Sequence, residues 1–106
     1  MSYKEAIKNI TETIKTKYKP EKIILFGSCV SGRVHKDSDI DMLIVKNTEK
    51  SYGERWLEVS RLVRNIEKPL PFEPFILTPK EVSRQLNRNL FLQEVLVKGK
   101  VLYEKN

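Results

Sequence analysis

The chain has one cysteine, four glycines, one tryptophan, three aspartates and no long apolar run. Each shortage excludes something. A single thiol, Cys29, forms no internal disulfide, which suits a reducing cytoplasm. No apolar stretch approaches the ~20 residues that a membrane span needs. Charges are spread through "MSYKEAIKNI", unlike a secretory signal. The few glycines form neither Gly-x-Gly-x-x-Gly nor the Gly-Lys-Ser/Thr of a Walker A loop. An EF-hand starting at Asp37 needs Gly at position 42 and Glu at 48, where this chain has Met42 and Thr48.

What remains is a globular composition. Of 106 residues, 40% are apolar and 32% charged, which predicts one domain spanning residues 1–106 with a real core. The net charge of +6 draws polyanions such as nucleotide phosphates, nucleic acid or an acidic partner surface. The lysines are scattered, as on a solvated helix face, rather than gathered in a block.

Hydrophobic spacing orders the elements. Ala6, Ile7, Ile10 and Ile14 predict a helix over residues 3–17, stopped by Pro20. "KIILF" at 22–26 and "DIDMLIV" at 39–45 read as strands. The second is continuously apolar at its end, so both of its faces should be covered. Residues 54–66 predict an amphipathic helix, with Trp56 among its core positions. "FEPFIL" at 72–77 reads as a strand that Pro74 confines to an edge or a bulge. Thr78-Pro79 opens a further helix that runs to about Leu86 or beyond, "LFLQEVL" continues helically to Gly99, and "KVLYE" offers a fourth strand. The order predicts an α/β fold with a small mixed β-sheet flanked by helices.

All three aspartates, Asp37, Asp39 and Asp41, fall within "KDSDID". Alternate residues of a strand share a face, so Asp39 and Asp41 project together while Ile40 points into the core. Two carboxylates so placed repel unless a cation lies between them, and hard oxygen donors favour Mg²⁺ or Mn²⁺. Asp37 reads as a turn residue. Upstream, the first strand runs into Gly27-Ser28, where glycine permits close backbone approach and Ser28 with the next N–H groups can open a short helix whose N-terminus suits phosphate. Carboxylates and phosphate donors on adjacent strands describe a site for a nucleoside triphosphate and its metal.

The stretch "GSCVSGRVHKDSDID" resembles the signature of the DNA polymerase beta-like nucleotidyltransferase superfamily: Gly-Ser, about ten residues, then Asp-x-Asp. With "FEPFILTPKEV" and "FLQEVLVKGKVLYE", the chain is similar to the small branch called minimal nucleotidyltransferases, over roughly residues 3–104. The resemblance implies a polymerase beta-like palm fold. It implies Asp39, Asp41 and Glu73 as catalytic residues and ligands of two Mg²⁺ ions, and Gly27, Ser28, Gly32 and Arg33 as nucleotide-binding residues. Glu73 stands where the family usually has Asp. Cys29, Val30 and Ser31 stand where it often has Arg, Ala and Arg, and Arg33 is then the substitute cation. The implied reaction moves a nucleoside monophosphate, AMP from ATP, to a hydroxyl and releases pyrophosphate.

The length leaves little chain for an acceptor pocket, which points to acceptance on another chain. Minimal nucleotidyltransferases resemble antitoxins whose partner is a helical HEPN-domain ribonuclease, modified by addition of AMP. Two other classes stay open: a non-catalytic nucleotide- or partner-binding module, and an enzyme acting on a small-molecule hydroxyl, with a homo-oligomer completing the pocket. Direct nucleic-acid binding is left undecided. His35 reads as an exposed loop residue and Cys29 as a small packed one. Arg61 with Arg64, and Arg84 with Arg88, read as solvated ridges.

Overall fold

A computed structural model describes residues 2–106. Helix α1 (Tyr3–Thr13) is capped by Ser2, whose hydroxyl oxygen accepts the Glu5 N–H. It runs on into a π-helical turn, Ile14–Tyr18, closed by Lys19 in the left-handed region. The wider turn places Ile14 and Tyr18 in the core, where a regular end was expected. Then follow β1 (Lys22–Phe26), a single turn α2 (Ser28–Ser31), β2 (Ile40–Val45), α3 (Tyr52–Val63) and β3 (Phe72–Leu77). Helices α4 (Pro79–Gln85) and α5 (Leu90–Lys98) and strand β4 (Lys100–Glu104) complete the order.

The four strands form one mixed sheet in the order β3-β2-β1-β4. β1 pairs antiparallel with β2 and with β4, and β2 pairs parallel with β3. Pro74 therefore lies on an edge strand, as its missing N–H requires. Alternation along the strands sends Ile23, Leu25, Ile40, Met42, Ile44 and Ile76 to one face, under α1 and α3. The other face carries Ile24, Leu43 and Val45, covered by Leu92 and Val95 of α5. The expected covering of both faces of β2 is met.

Two expectations are corrected. Trp56 is not core: it is 42% exposed, because α3 buries Arg55, Val59 and Val63 instead. Arg55 occupies that stripe since its guanidinium is satisfied there. It donates to Glu81 Oε1 at 2.7 Å, to the Ile76 carbonyl at 3.2 Å and to the Lys50 carbonyl at 2.8 Å. Trp56, one residue round the helix, is turned outward. Second, the helix after Pro79 does not run unbroken to Gly99; it stops after Gln85, and Asn89 caps a new helix by accepting the Leu92 N–H. The short helix expected to open at Ser28 is present as the single turn Ser28–Ser31.

Candidate active site

The site grows from the hairpin of β1 and β2. Gly27 ends β1 with φ 79° and ψ −152°, a conformation open essentially to glycine alone. A Cβ at that position would lie 2.5 Å from Asp41 Oδ2. Glycine thus does two things: it turns the chain into α2, and it leaves room beside the Asp41 carboxylate. The N–H groups of Ser28 and Cys29 precede the first bond of the α2 turn, whose Val30 and Ser31 N–H groups both reach the Gly27 carbonyl. Gly32 closes the turn in the left-handed region at φ 81°.

Register brings the acidic residues together. Asp41 stands opposite Phe26 of β1 on one side and Glu73 of β3 on the other, so Asp41 and Glu73 share a face of the sheet. This is the face under α5, beyond the buried Leu43 and Val45. Ile40 is fully buried on the opposite face, as expected. Asp39 lies just before β2, half-buried, and its carbonyl accepts the Cys29 thiol at 3.5 Å. Burial raises the pKa of the Asp41 carboxyl above the ordinary 3.8, and the charges of Asp39 and then Glu73 push it the same way. The Cys29 thiol is likewise raised, by burial first and then by Asp41 and Asp39, so it is not an activated nucleophile.

A cleft of about 650 Å³ opens over this corner, within the size range of small-ligand sites. Gly27, Val30, Ser31 and Asp41 form one wall with Phe26. Phe91, Glu94, Val95 and Lys98 of α5 form the other. Phe26, Phe75 and Phe91 make a ring cluster with centroids 5.5–5.8 Å apart, and Phe91 stays half exposed at the cleft.

Of the residues singled out in the sequence, Gly27 and Asp41 line the cleft. Glu73 stands beside Asp41 in the register, exposed at the sheet edge, and Asp39 lies just before β2; neither lines the cleft. Ser28 is half-buried in α2, while Gly32 and Arg33 are exposed beyond it and do not line the cleft. His35 and Asp37 are exposed; the imidazole Nδ1 accepts the Asp37 N–H at 3.2 Å, a local turn contact. The α5 wall was missed. Its only sequence signal is that Phe91, Glu94 and Lys98 recur at helical spacing on a helix whose core residues are Leu92 and Val95.

The donor chemistry suits a hard divalent cation: carboxylate oxygens, a carboxyl whose pKa is raised by burial first and by neighbouring carboxylates next, and space beside Asp41 Oδ2 that a side chain at residue 27 would fill. Among the described residues no three His, Cys, Asp or Glu are gathered into a ready-made ligand group.

The sequence matches the family described as "Polymerase beta, Nucleotidyltransferase" over residues 8–106. The chain belongs to that nucleotidyltransferase family. A candidate protein adenylyltransferase of Methanocaldococcus jannaschii is 33% identical over 105 residues, covering 97% of this chain and 100% of that protein. The crystal structure of a candidate nucleotidyltransferase from Sulfolobus solfataricus superposes with a TM-score of 0.66 at 23% identity, over 97% of this chain and 81% of the other. A toxin–antitoxin structure with AMP-PNP gives a TM-score of 0.59 at 24% identity, over 100% and 76%. These two bear on the fold, which is that of polymerase beta-like nucleotidyltransferases of the minimal type. Among the described residues, no helix of this nucleotidyltransferase is long and apolar enough to cross a membrane.

Proposed function

We propose that this nucleotidyltransferase transfers AMP from ATP to a hydroxyl of a helical, HEPN-type partner protein, as the antitoxin of a toxin–antitoxin pair. One observation carries the catalytic half: Asp41 lines an open cleft whose glycine leaves its carboxylate uncovered, and Glu73 stands beside it in the strand register. The protein acceptor is favoured by the adenylyltransferase relative, which matches end to end, and the antitoxin role by the toxin–antitoxin likeness.

Each residue has a task in this reading. Gly27 lets the phosphates approach the backbone, and Ser28 adds a hydroxyl and N–H beside them. Gly32 frees the loop to turn, and Arg33 borders it. Asp39, Asp41 and Glu73 would hold two Mg²⁺ ions, or Mn²⁺, which when bound neutralise the triphosphate and lower the pKa of the acceptor hydroxyl. Glu73, the most exposed of the three, accepts the hydroxyl proton. The acceptor oxygen then forms a bond to the α-phosphorus as the bond to the bridging oxygen breaks, and pyrophosphate leaves with its electron pair.

The cleft wall contributed by α2 and α5 is short and open at its mouth, which leaves room for an acceptor delivered by a second chain. A stable complex of that kind buries at least ~1,000 Å² in total. Co-expression with a HEPN-domain partner, followed by sizing and intact-mass measurement with ATP and Mg²⁺, tests the reading. Co-elution with mass added to the partner in steps of one AMP is expected, and Asp39→Asn should abolish the additions. Co-elution without added mass refutes the transferase and leaves a binding module. Modification of a free small molecule with no association refutes the antitoxin.

A further inference from the structure

We infer that Lys98, at the C-terminal end of α5, is the cation that grips the terminal phosphates of the bound triphosphate, and that its ion pair with Glu94 holds it in waiting. This rests on the nucleotide reading of the cleft and names the residue that completes it.

The cleft is electrically lopsided. Asp41 and Glu94 line it, with Asp39 two residues before Asp41 and Glu73 opposite Asp41 in the strand register. The loop from Gly27 to Ser31 brings no positive side chain, since its members are Gly, Ser, Cys, Val and Ser. Arg33 lies outside the lining. Lys98 is the one cation among the lining residues. A triphosphate entering this space without a counter-charge would meet carboxylates from several sides, at strong electrostatic cost.

Position selects Lys98 as well as charge. Gly99 packs so tightly that an added Cβ would strike the Val95 carbonyl and the Ile24 side chain, fixing the end of α5 on β1. β1 pairs Leu25 with Lys100, and Phe26 and Gly27 follow directly. The last turn of α5 is thereby anchored at the end of β1 from which the Gly27 loop springs. At the other end of the helix, Phe91 packs on Phe26 and Phe75. Lys98 thus shares the lining of the cleft with Gly27 and Ser31, where phosphates approach the backbone.

The lysine is held but not committed. Its Nζ lies 3.1 Å from Glu94 Oε1, one turn back, and both side chains are mostly exposed. An exposed i,i+4 pair is weak. A polyphosphate offers several charged oxygens in place of one, so Lys98 changes partner at little cost. Glu94 then faces the incoming anion unpaired and opposes it. The two residues should therefore act in opposite directions, which a merely structural ion pair does not do.

The test measures the affinity of the full chain for ATP and for AMP with Mg²⁺, by calorimetry, in wild type, Lys98→Gln, Lys98→Arg and Glu94→Gln. Lys98→Gln should weaken ATP roughly tenfold, as expected for one charge-assisted contact, while AMP changes less than about twofold. Lys98→Arg should restore most of the ATP affinity, and Glu94→Gln should tighten ATP. Equal losses for ATP and AMP, or no loss of ATP affinity in Lys98→Gln while wild type binds ATP, overturn the assignment and leave the nucleotide reading standing. Failure of wild type to bind ATP at all overturns both.

Discussion

Gly27→Ala isolates the contact on which the site is built. The backbone conformation at Gly27 costs a residue with a side chain about 1–3 kcal/mol. The new methyl would also meet Asp41 Oδ2 at 2.5 Å, far inside van der Waals contact. That oxygen ends a short side chain, so the carboxylate rotates away rather than the backbone yielding. Leaving its preferred rotamer costs about 0.5–1.5 kcal/mol. The sum, about 1.5–4.5 kcal/mol, lowers the melting temperature by roughly 6–36 °C for a domain of this size. Displacing the carboxylate by an ångström should cost about 100-fold in transfer. A double-mutant cycle with Asp41→Ala separates the two parts. With the carboxylate gone, only the backbone strain remains, so the stability costs should fall short of additivity by about 1 kcal/mol. Thermal melts of the four proteins in EDTA provide the measurement. Additive effects, or a Gly27→Ala protein that transfers at the wild-type rate, would show that Gly27 and Asp41 do not share the space the structure gives them.

Asp39→Asn and Asp41→Asn should each abolish transfer, while metal-free melting temperatures hold or rise because like charges are removed; a marked fall in stability would contradict this. Arg55→Met should destabilise by about 2–4 kcal/mol in urea unfolding, since it strands the Glu81 carboxylate and two backbone carbonyls. Burial pushes the Glu81 pKa up, but the bonds from Arg55 and Thr78 more than offset this and leave it below 4.5. Its contribution is therefore fully present above pH 4.5 and lost as pH falls through the lowered value. The acid limb of the stability curve should flatten in Arg55→Met. Trp56→Ser should change stability by less than about 1 kcal/mol, as suits a ring that packs no core, and a larger loss would restore it to the interior.

The strands and the acidic corner were legible because their signals are local. Continuous apolar runs bounded by glycine and polar turns gave four strands, and Pro74 correctly marked an edge. Alternation alone put Ile40 inside and Asp41 on the opposite face. Other features depend on partners distant in the chain. Nothing near Arg55 announces that Glu81 and the Ile76 carbonyl await it 21 to 26 residues away, so Trp56 was given its place. The second wall of the cleft stayed hidden for the same reason. Phe91, Glu94 and Lys98 look like ordinary helix-surface residues until α5 is laid across β1 and β2. The π turn arises where Tyr18 is drawn into the core, and there burial pushes its phenol up to about 12.

The two walls come from unlike sources. One is a single hairpin in which Phe26 pairs with Asp41 and Gly27 follows directly, so its geometry forms as soon as two neighbouring strands zip together. The other is a helix from late in the chain, resting on the sheet through Leu92 and Val95. Substitutions on the exposed side of that helix reshape what enters the cleft without disturbing the ladder that carries the carboxylates. Reaction and recognition are thus separable in inheritance: a lineage could retune ligand or acceptor through residues 90–98 while the hairpin stays unchanged.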